Sequence, residues 1–428
     1  MNPLKYETVF FDLDGTLTQS EEGITRSVQA AATQMGWPEI DQETLRTFIG
    51  PPLYYSFRET LGMTDSQALE AQSRYRVRYN EIGWKENRVY PGIPRLLRSL
   101  KKYGIKTGVT TGKPQEFAER ICRYFGLSDY LDTIIGVQMN ATTADKAALV
   151  AEGMRRLPGR AVVVGDRMFD AEGALANQID CIGVSYGYGS EEELRKAGAV
   201  CVAASVRELQ TLLLGSLEPA KGLFISMEGM DGCGKTTQRS ALVTFLQDRG
   251  WEVTATREPG GDEIAEKIRA IILDPANTEM TSETEAYLYA ASRAQNVRKV
   301  IQPALTDGRL VVCDRFVDSS AAYQGGGRQL GAEKVLQLNS LAVDNCMPDI
   351  TVYLEMPAEA ALARRLSAGE PDRLEREKSA FWLRCWEAYT KIYEHEPRVL
   401  HVNAAGTIEE VTAEMLKGLS KRLAALEN

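Results

Sequence analysis

The chain lacks a CxxC pair among its seven cysteines, lacks an apolar run long enough to cross a bilayer, and lacks any excess of basic charge. Scattered thiols support neither a disulfide framework nor a zinc site, which leaves buried, reduced cysteines as the expectation. Spanning a membrane takes a stretch of ~20 apolar residues, so no transmembrane helix is expected. The amino-terminal MNPLKYETVF has no basic-then-apolar order of a signal peptide, and this points to the cytoplasm. A formal net charge of -9 provides no broad positive field for nucleic acid or an anionic membrane, so an anionic substrate has to be met by local arginines. Internal repeats and low-complexity tracts are also missing.

What is present is an α/β pattern that occurs twice. A length of 428 residues suits two domains, each with its own core. In the first half, β-branched runs at Thr8–Phe11, Lys106–Thr110, Ala161–Gly165 and Cys181–Val184 alternate with helical patterns, as in an open Rossmann-like parallel sheet. From Thr16 to about Lys85 no comparable run occurs, which predicts several helices inserted after the first strand as a cap. The alternation ends near Leu214, and residues 215–221, GSLEPAK, read as a connector. The expected domains are therefore 1–214 and 222–428. Further strands are predicted at Leu223–Met227, Trp251–Thr256, Leu310–Cys313, Ile350–Glu355 and Val399–Val402, giving a second parallel sheet flanked by helices. A last helix places Ile408, Val411, Met415, Leu419, Leu423 and Leu426 on one face, expected to be core.

FFDLDGTL, Phe10 to Leu17, sets Asp12 and Asp14 two residues apart just past a buried strand, where alternation aims both side chains one way. Taken alone, such aspartates could merely cap a helix, the lesser of the two readings. VTTGKP then ends a second strand with Thr110 and Thr111, Lys146 opens a helix, and VVVGDRMFDAEGA ends a third strand with Asp166 and Asp170. Each piece lies where an open parallel sheet gathers its ligands. This order resembles the haloacid-dehalogenase superfamily of phosphatases, with all four of its motifs. The resemblance implies Asp12 as nucleophile, Asp14 as acid and base, Thr111 and Lys146 as phosphate-stabilising groups, and a magnesium ion held by Asp12, the Asp14 carbonyl and Asp166 with support from Asp170. RVYPGIPRLL and SYGYGSEEEL are further similar to the phosphoglycolate-phosphatase and nucleotidase branch, which implies a phosphate monoester as substrate.

FISMEGMDGCGKTT, Phe224 to Thr237, has the spacing of a phosphate-binding loop between a strand and a helix. Backbone amides there would cradle the phosphates of ATP, Lys235 would reach the β and γ oxygens, and Thr236 would ligate magnesium. Gly229, Gly232, Cys233, Gly234, Lys235, Thr236 and Thr237 make up that expected ATP site. Downstream come TREPGG from Thr256, LYAASRAQ from Leu288, CDRFVDSSAAYQGGGR from Cys313 and EPDRLE from Glu370. Together with the loop they resemble thymidylate kinase over the whole of Gly222–Asn428. That resemblance implies dTMP as acceptor, with Arg257 and Arg315 on its phosphate, Tyr289 stacked on thymine, Arg293 on the thymine carbonyl, and Ser320 and Gln324 by the base. It also implies Tyr323 crowding the sugar 2′ position, Asp231 facing the 3′ hydroxyl, and Asp314 on the magnesium side. Tyr289 replaces the phenylalanine expected at its position. Gly232 stands where another branch has arginine, so a lid must supply the positive charge. Arg364, Arg365 and Arg373 flank the lid LSAGEPDRLE, with Arg365 and Arg373 taken as the catalytic candidates, and Ala368 occupies a position where relatives often carry arginine.

The phosphate-binding loop is thus mid-chain because a whole phosphatase-like domain precedes it. The expectation is a bifunctional enzyme using magnesium and ATP, with a homodimer through the second half. Two alternatives stay open: a catalytically idle, regulatory first domain, and a different nucleoside monophosphate as acceptor.

Overall fold

Buried runs of β-branched and aromatic residues become the central strands, which are covered on both faces as parallel strands are, while the edge strands are only partly buried. In the computed structural model, which describes residues 5–139, 141, 143–366, 373–374 and 376–426, the chain divides after Ala220 into two compact units. Thr8–Phe11 (β1), Lys106–Pro114 (β2), Thr133–Val137 (β3), Ala161–Gly165 (β4), Asp180–Val184 (β5) and Cys201–Ala203 (β6) form the first sheet. Its order is β3-β2-β1-β4-β5-β6, parallel throughout. β1 is wholly buried and sets Phe11 opposite Val109 on one side and Val164 on the other. The strand order reverses between β1 and β4, and such a switch point opens a crevice at the carboxyl ends.

The strands β3 and β6 were not among the expected runs, since β3 is only half-buried and β6 has three residues. β2 runs past Thr110 to Pro114, with its register to β3 shifting between those two residues. The insert after β1 is helical: Glu21–Gln34, Gln42–Arg46, Leu53–Glu59 and Asp65–Arg78 pack around Phe57, Ala68, Ala71 and Tyr75.

The second unit has Phe224–Glu228 (β7), Val253–Arg257 (β8), Leu310–Asp314 (β9), Ile350–Glu355 (β10) and Val399–Asn403 (β11) in the order β11-β10-β7-β9-β8, again all parallel. β7 and β8 start one and two residues later than expected, at Phe224 and Val253 rather than Leu223 and Trp251. In the last helix, Ile408–Leu426, Val411, Met415, Leu419 and Leu423 are buried as expected, but Ile408 is 58% and Leu426 46% exposed. The apolar stripe is longer than the surface it covers, so its two ends overhang. Among the described residues no helix is long and apolar enough to cross a membrane.

Leu354 is fully buried in β10, between β7 and β11. Leu354→Ala is expected to cost about 2–5 kcal/mol, the usual range for emptying such a position, and to lower the urea midpoint at unchanged slope.

Candidate active sites

In the first unit the carboxyl ends of β1, β2 and β4 bring four chemistry-bearing side chains together. Lys146, the first residue of the helix Lys146–Arg156, donates from Nζ to Asp12 Oδ1 at 2.7 Å and to the Thr110 carbonyl at 2.6 Å, and it also ion-pairs with Asp170. Asp166 accepts from the Tyr188 amide at 2.8 Å and from Thr16 Oγ1 at 3.2 Å. Carboxylate oxygens of Asp12, Asp166 and Asp170 lie within 4.8 Å of one another. Two of these three acids, Asp12 and Asp170, share the one ammonium of Lys146. Burial pushes Asp12 up to about 6 against the pull of Lys146, and burial together with Asp170 raises Asp166 well above the carboxylate range. The close approach depends on Gly15, at φ +88°, where a Cβ would stand 2.1 Å from Asp166 Oδ2.

Asp14 does not join this cluster through its side chain. Its Oδ2 accepts from Lys113 Nζ at 2.6 Å, while Oδ1 is buried without a hydrogen-bond partner. Lys113 lies inside the VTTGKP motif, but no site role was expected of it. It is buried, and its ammonium also stands 5.1 Å from the ring centroid of the cap residue Tyr79. The signal was available, because Lys113 follows Thr111 by two residues on β2 and strand alternation puts such pairs on one face. Thr111 Oγ1 accepts from the Lys113 amide at 3.3 Å. Asp12, Asp14, Thr111, Lys113, Lys146 and Asp170 all line one cavity of about 170 Å³ beneath Phe48, Tyr75 and Tyr79.

In the second unit β7 ends at Glu228, the loop turns, and the helix Lys235–Asp248 begins. Gly232, at φ +89°, lets the loop lie against the helix Ala358–Leu366: a Cβ there would be 2.1 Å from the Ala361 carbonyl. Lys235 folds back over the loop, donating to the carbonyls of Gly229 at 3.0 Å and Met230 at 2.8 Å, with Asp231 Oδ1 at 3.7 Å. Cys233 is buried, whereas Gly234, Thr236 and Thr237 are exposed. Asp314 closes β9, where Arg239 approaches it at 3.9 Å.

Arg315 follows at φ +69°, in the left-handed region that an arginine rarely adopts. Its Nη2 donates to Asp231 Oδ1 at 2.5 Å and to the Tyr323 hydroxyl at 3.1 Å, and that hydroxyl donates to Asp231 Oδ2 at 3.0 Å. Asp231 is held below the carboxylate range because Arg315 and Lys235 outweigh its burial. The Tyr323 ring meets Phe381, Trp382 and Tyr389 edge-on.

Other expected residues are committed elsewhere. Arg293 is buried and donates to Glu258 Oε2 at 2.7 Å, to the Phe316 carbonyl at 3.2 Å and to Ser320 Oγ at 3.1 Å, with Asn339 as a further acceptor. Arg257 is half-exposed and pairs with Glu266 at 2.9 Å; Tyr289 is half-buried on the helix Ser282–Asn296. Gln324 donates to Glu285 at 2.9 Å. Arg373 donates to the Ile272 carbonyl at 2.7 Å and to the buried Glu285 at 2.5 Å, and Arg364 donates to the Ala404 carbonyl at 3.0 Å. Arg365 places its backbone nitrogen about the loop at Gly232. Ala368 and most of the lid lie outside the described residues. Glu258 lies inside the TREPGG motif without a role assigned to it there, and Glu285, the other buried acid that holds these arginines, carried no motif signal, because a lone glutamate in a helix pattern looks like a solvated charge.

The haloacid dehalogenase-like hydrolase family model matches residues 9–184, and the thymidylate kinase family model matches residues 227–415. The chain is 49% identical over 201 residues to the thymidylate kinase of Lactobacillus delbrueckii subsp. bulgaricus, an alignment covering 46% of this chain and 95% of that protein. It is 45% identical over 207 residues to the thymidylate kinase of Lactobacillus acidophilus, covering 47% and 96%. Among solved structures, a protein of Clostridium acetobutylicum described as a predicted phosphatase is 41% identical, with a TM-score of 0.47, and covers 49% of this chain and 98% of its own.

Replacing Lys146 with methionine leaves the buried Asp12 and Asp170 without their shared cation. Breaking such a pair is expected to cost about 3–5 kcal/mol, seen as a lower thermal midpoint. Asp12, which burial already pushes up to about 6, then takes up a proton more readily folded than unfolded, so the deficit should shrink as pH falls from neutral into the acid range.

Proposed function

Because the chain belongs, through residues 227–415, to the thymidylate kinase family and carries a haloacid dehalogenase-like hydrolase unit over residues 9–184, we propose that it phosphorylates dTMP to dTDP with ATP and separately hydrolyses a phosphate monoester. The observation that carries the kinase half is the arrangement of Arg315, Asp231 and Tyr323 beside Lys235. In this reading a dTMP phosphate oxygen attacks the γ phosphorus of ATP and ADP departs. Arg315 and Arg257 hold the acceptor phosphate, Lys235 and the loop amides of residues 229–237 hold the donor phosphates, and Arg365 or Arg373 meets the transferring group from the lid. Thr236 and Asp314 would hold the magnesium that accompanies ATP and offsets the phosphate charge. Tyr289, Arg293, Ser320 and Gln324 frame the base.

For the phosphatase half the supporting observation is the cluster of Asp12, Asp166 and Asp170, two of which pair with Lys146. Their uncompensated negative charge suits a divalent cation, held by Asp12, Asp166, Asp170 and the Asp14 carbonyl, which would neutralise charge gathering on the phosphoryl group. Asp12 attacks phosphorus, and Asp14 gives a proton to the leaving ester oxygen. Water then cleaves the aspartyl-phosphate, passing its proton to Asp14. Thr111 and Lys146 donate to the phosphoryl oxygens. The cavity of about 170 Å³ shares Arg167 and Tyr188 with a second cavity of about 920 Å³, and the substrate class is a phosphate monoester, phosphoglycolate or a nucleoside monophosphate.

Lys235→Ala is expected to lower the kinase rate by about 10²–10³ and spare ester hydrolysis, while Asp12→Asn does the reverse. Assays with dTMP and ATP, and with phosphoglycolate, nucleoside monophosphates and a generic phosphate ester, test both halves. An Asp12→Asn variant that hydrolyses every ester as wild type does would make the first unit an idle module. Tyr323→Ala should reduce the ratio of kcat/KM for dTMP over its ribose counterpart, because the ring that crowds the sugar 2′ position is gone; an unchanged ratio removes Tyr323 from the sugar pocket.

A further inference from the structure

Glu228 ends β7 fully buried, at a position where an apolar residue would cost nothing to desolvate. Its carboxylate is filled by three neutral donors. Oε1 accepts the Phe316 amide at 2.7 Å, and Oε2 accepts Ser319 Oγ at 2.5 Å and the Tyr389 hydroxyl at 2.9 Å. All three donors belong to the surroundings of one side chain, Arg315. Phe316 is the next residue, so its amide is the first group after the left-handed turn at Arg315. Ser319 Oγ and the Tyr389 hydroxyl are the acceptors of Arg315 Nη1, at 3.0 and 3.4 Å.

The protons decide the direction of these bonds. A hydroxyl has one hydrogen and can accept on its other side. Burial and the neighbouring Asp318 push the Glu228 carboxyl up to about 7; in its ionised form it only accepts, so the hydroxyls of Ser319 and Tyr389, themselves 2.8 Å apart, turn their hydrogens toward it and their lone pairs toward the guanidinium. An amide in its place offers N–H donors and can turn a hydroxyl hydrogen toward Arg315 instead. The carboxylate also pins the amide that follows the strained backbone, and such conformations persist only where the surroundings over-determine them.

We propose that Glu228 is a positioning residue for Arg315: it fixes the left-handed backbone through the Phe316 amide and the guanidinium through Ser319 and Tyr389. The inference rests on Arg315 being the cation that holds the acceptor phosphate. Tyr389 lies on the helix Ser379–Tyr393, so this helix contributes to the same support.

The test is equilibrium binding of dTMP and of ATP, by calorimetry on the full chain, for Glu228→Gln, Arg315→Ala and the double variant. Glu228→Gln is expected to weaken dTMP binding by about tenfold, the scale of losing one oriented charge-assisted contact, and to leave ATP binding within about twofold. In the Arg315→Ala background the same change should add less than about twofold, because residues that act through one another are not additive. Equal losses in both backgrounds, or equal losses for dTMP and ATP, overturn the proposal while leaving Arg315 in its role. Undiminished dTMP binding by Arg315→Ala removes that role, and the proposal with it. Should Glu228→Gln fail to fold, Tyr389→Phe and Ser319→Ala each remove one hydroxyl of the same support and carry the same comparison.

Discussion

A parallel strand cannot hand its chain to a neighbour by a tight turn, so every strand must leave its sheet through a loop and return by a crossover. All carboxyl ends then face one way, and the loops that leave them collect on one edge. Both sheets are parallel throughout, and both candidate sites form on that edge. Asp12 and Asp14 leave β1, Lys113 stands next to the last residue of β2 and Asp166 leaves β4, while the phosphate-binding loop leaves β7, Asp314 closes β9 and Arg315 follows it. Residues more than a hundred positions apart become hydrogen-bonded neighbours without any local sequence relation between them, as Lys146 and Asp12 do.

The two sites solve charge burial in opposite senses. The first gathers Asp12, Asp166 and Asp170 within 4.8 Å of one another and answers two of them with the single cation of Lys146. The second is rich in guanidinium groups, and nearly every one is already held by an acid: Arg315 on Asp231, Arg293 on Glu258, and both Arg328 and Arg373 on Glu285. A buried arginine left unpaired would be costly, so these carboxylates keep the cations aimed while no anionic ligand is present. Glu228 belongs to a further layer, an acid that touches no cation directly and orders the hydroxyls that do.

Much of this was legible in order along the chain. The fold class followed from alternation of buried strands with helical patterns, and the helical insert from the lack of any strand run between Thr16 and Lys85. Strand edges and short strands were not legible, because half-buried β3 and three-residue β6 carry too little periodic signal to separate from loop. Lys113 could have been found by alternation from Thr111 and Glu258 from its place in TREPGG, whereas Glu285 could not, since nothing in a single glutamate records that an arginine forty-three residues away will meet it.

The sequence by itself determined which residue types stand at the ends of strands and starts of helices, because turn glycines, strand runs and motif spacing are local properties written in consecutive residues. Only the tertiary structure decided which charges meet. It put Lys146 between Asp12 and Asp170, turned Asp14 toward Lys113, committed Arg293 to Glu258, and set Arg373 on Glu285. The physical reason is that a charge removed from water takes the nearest partner that packing offers, and packing is a property of the whole sheet and its crossovers rather than of any one segment.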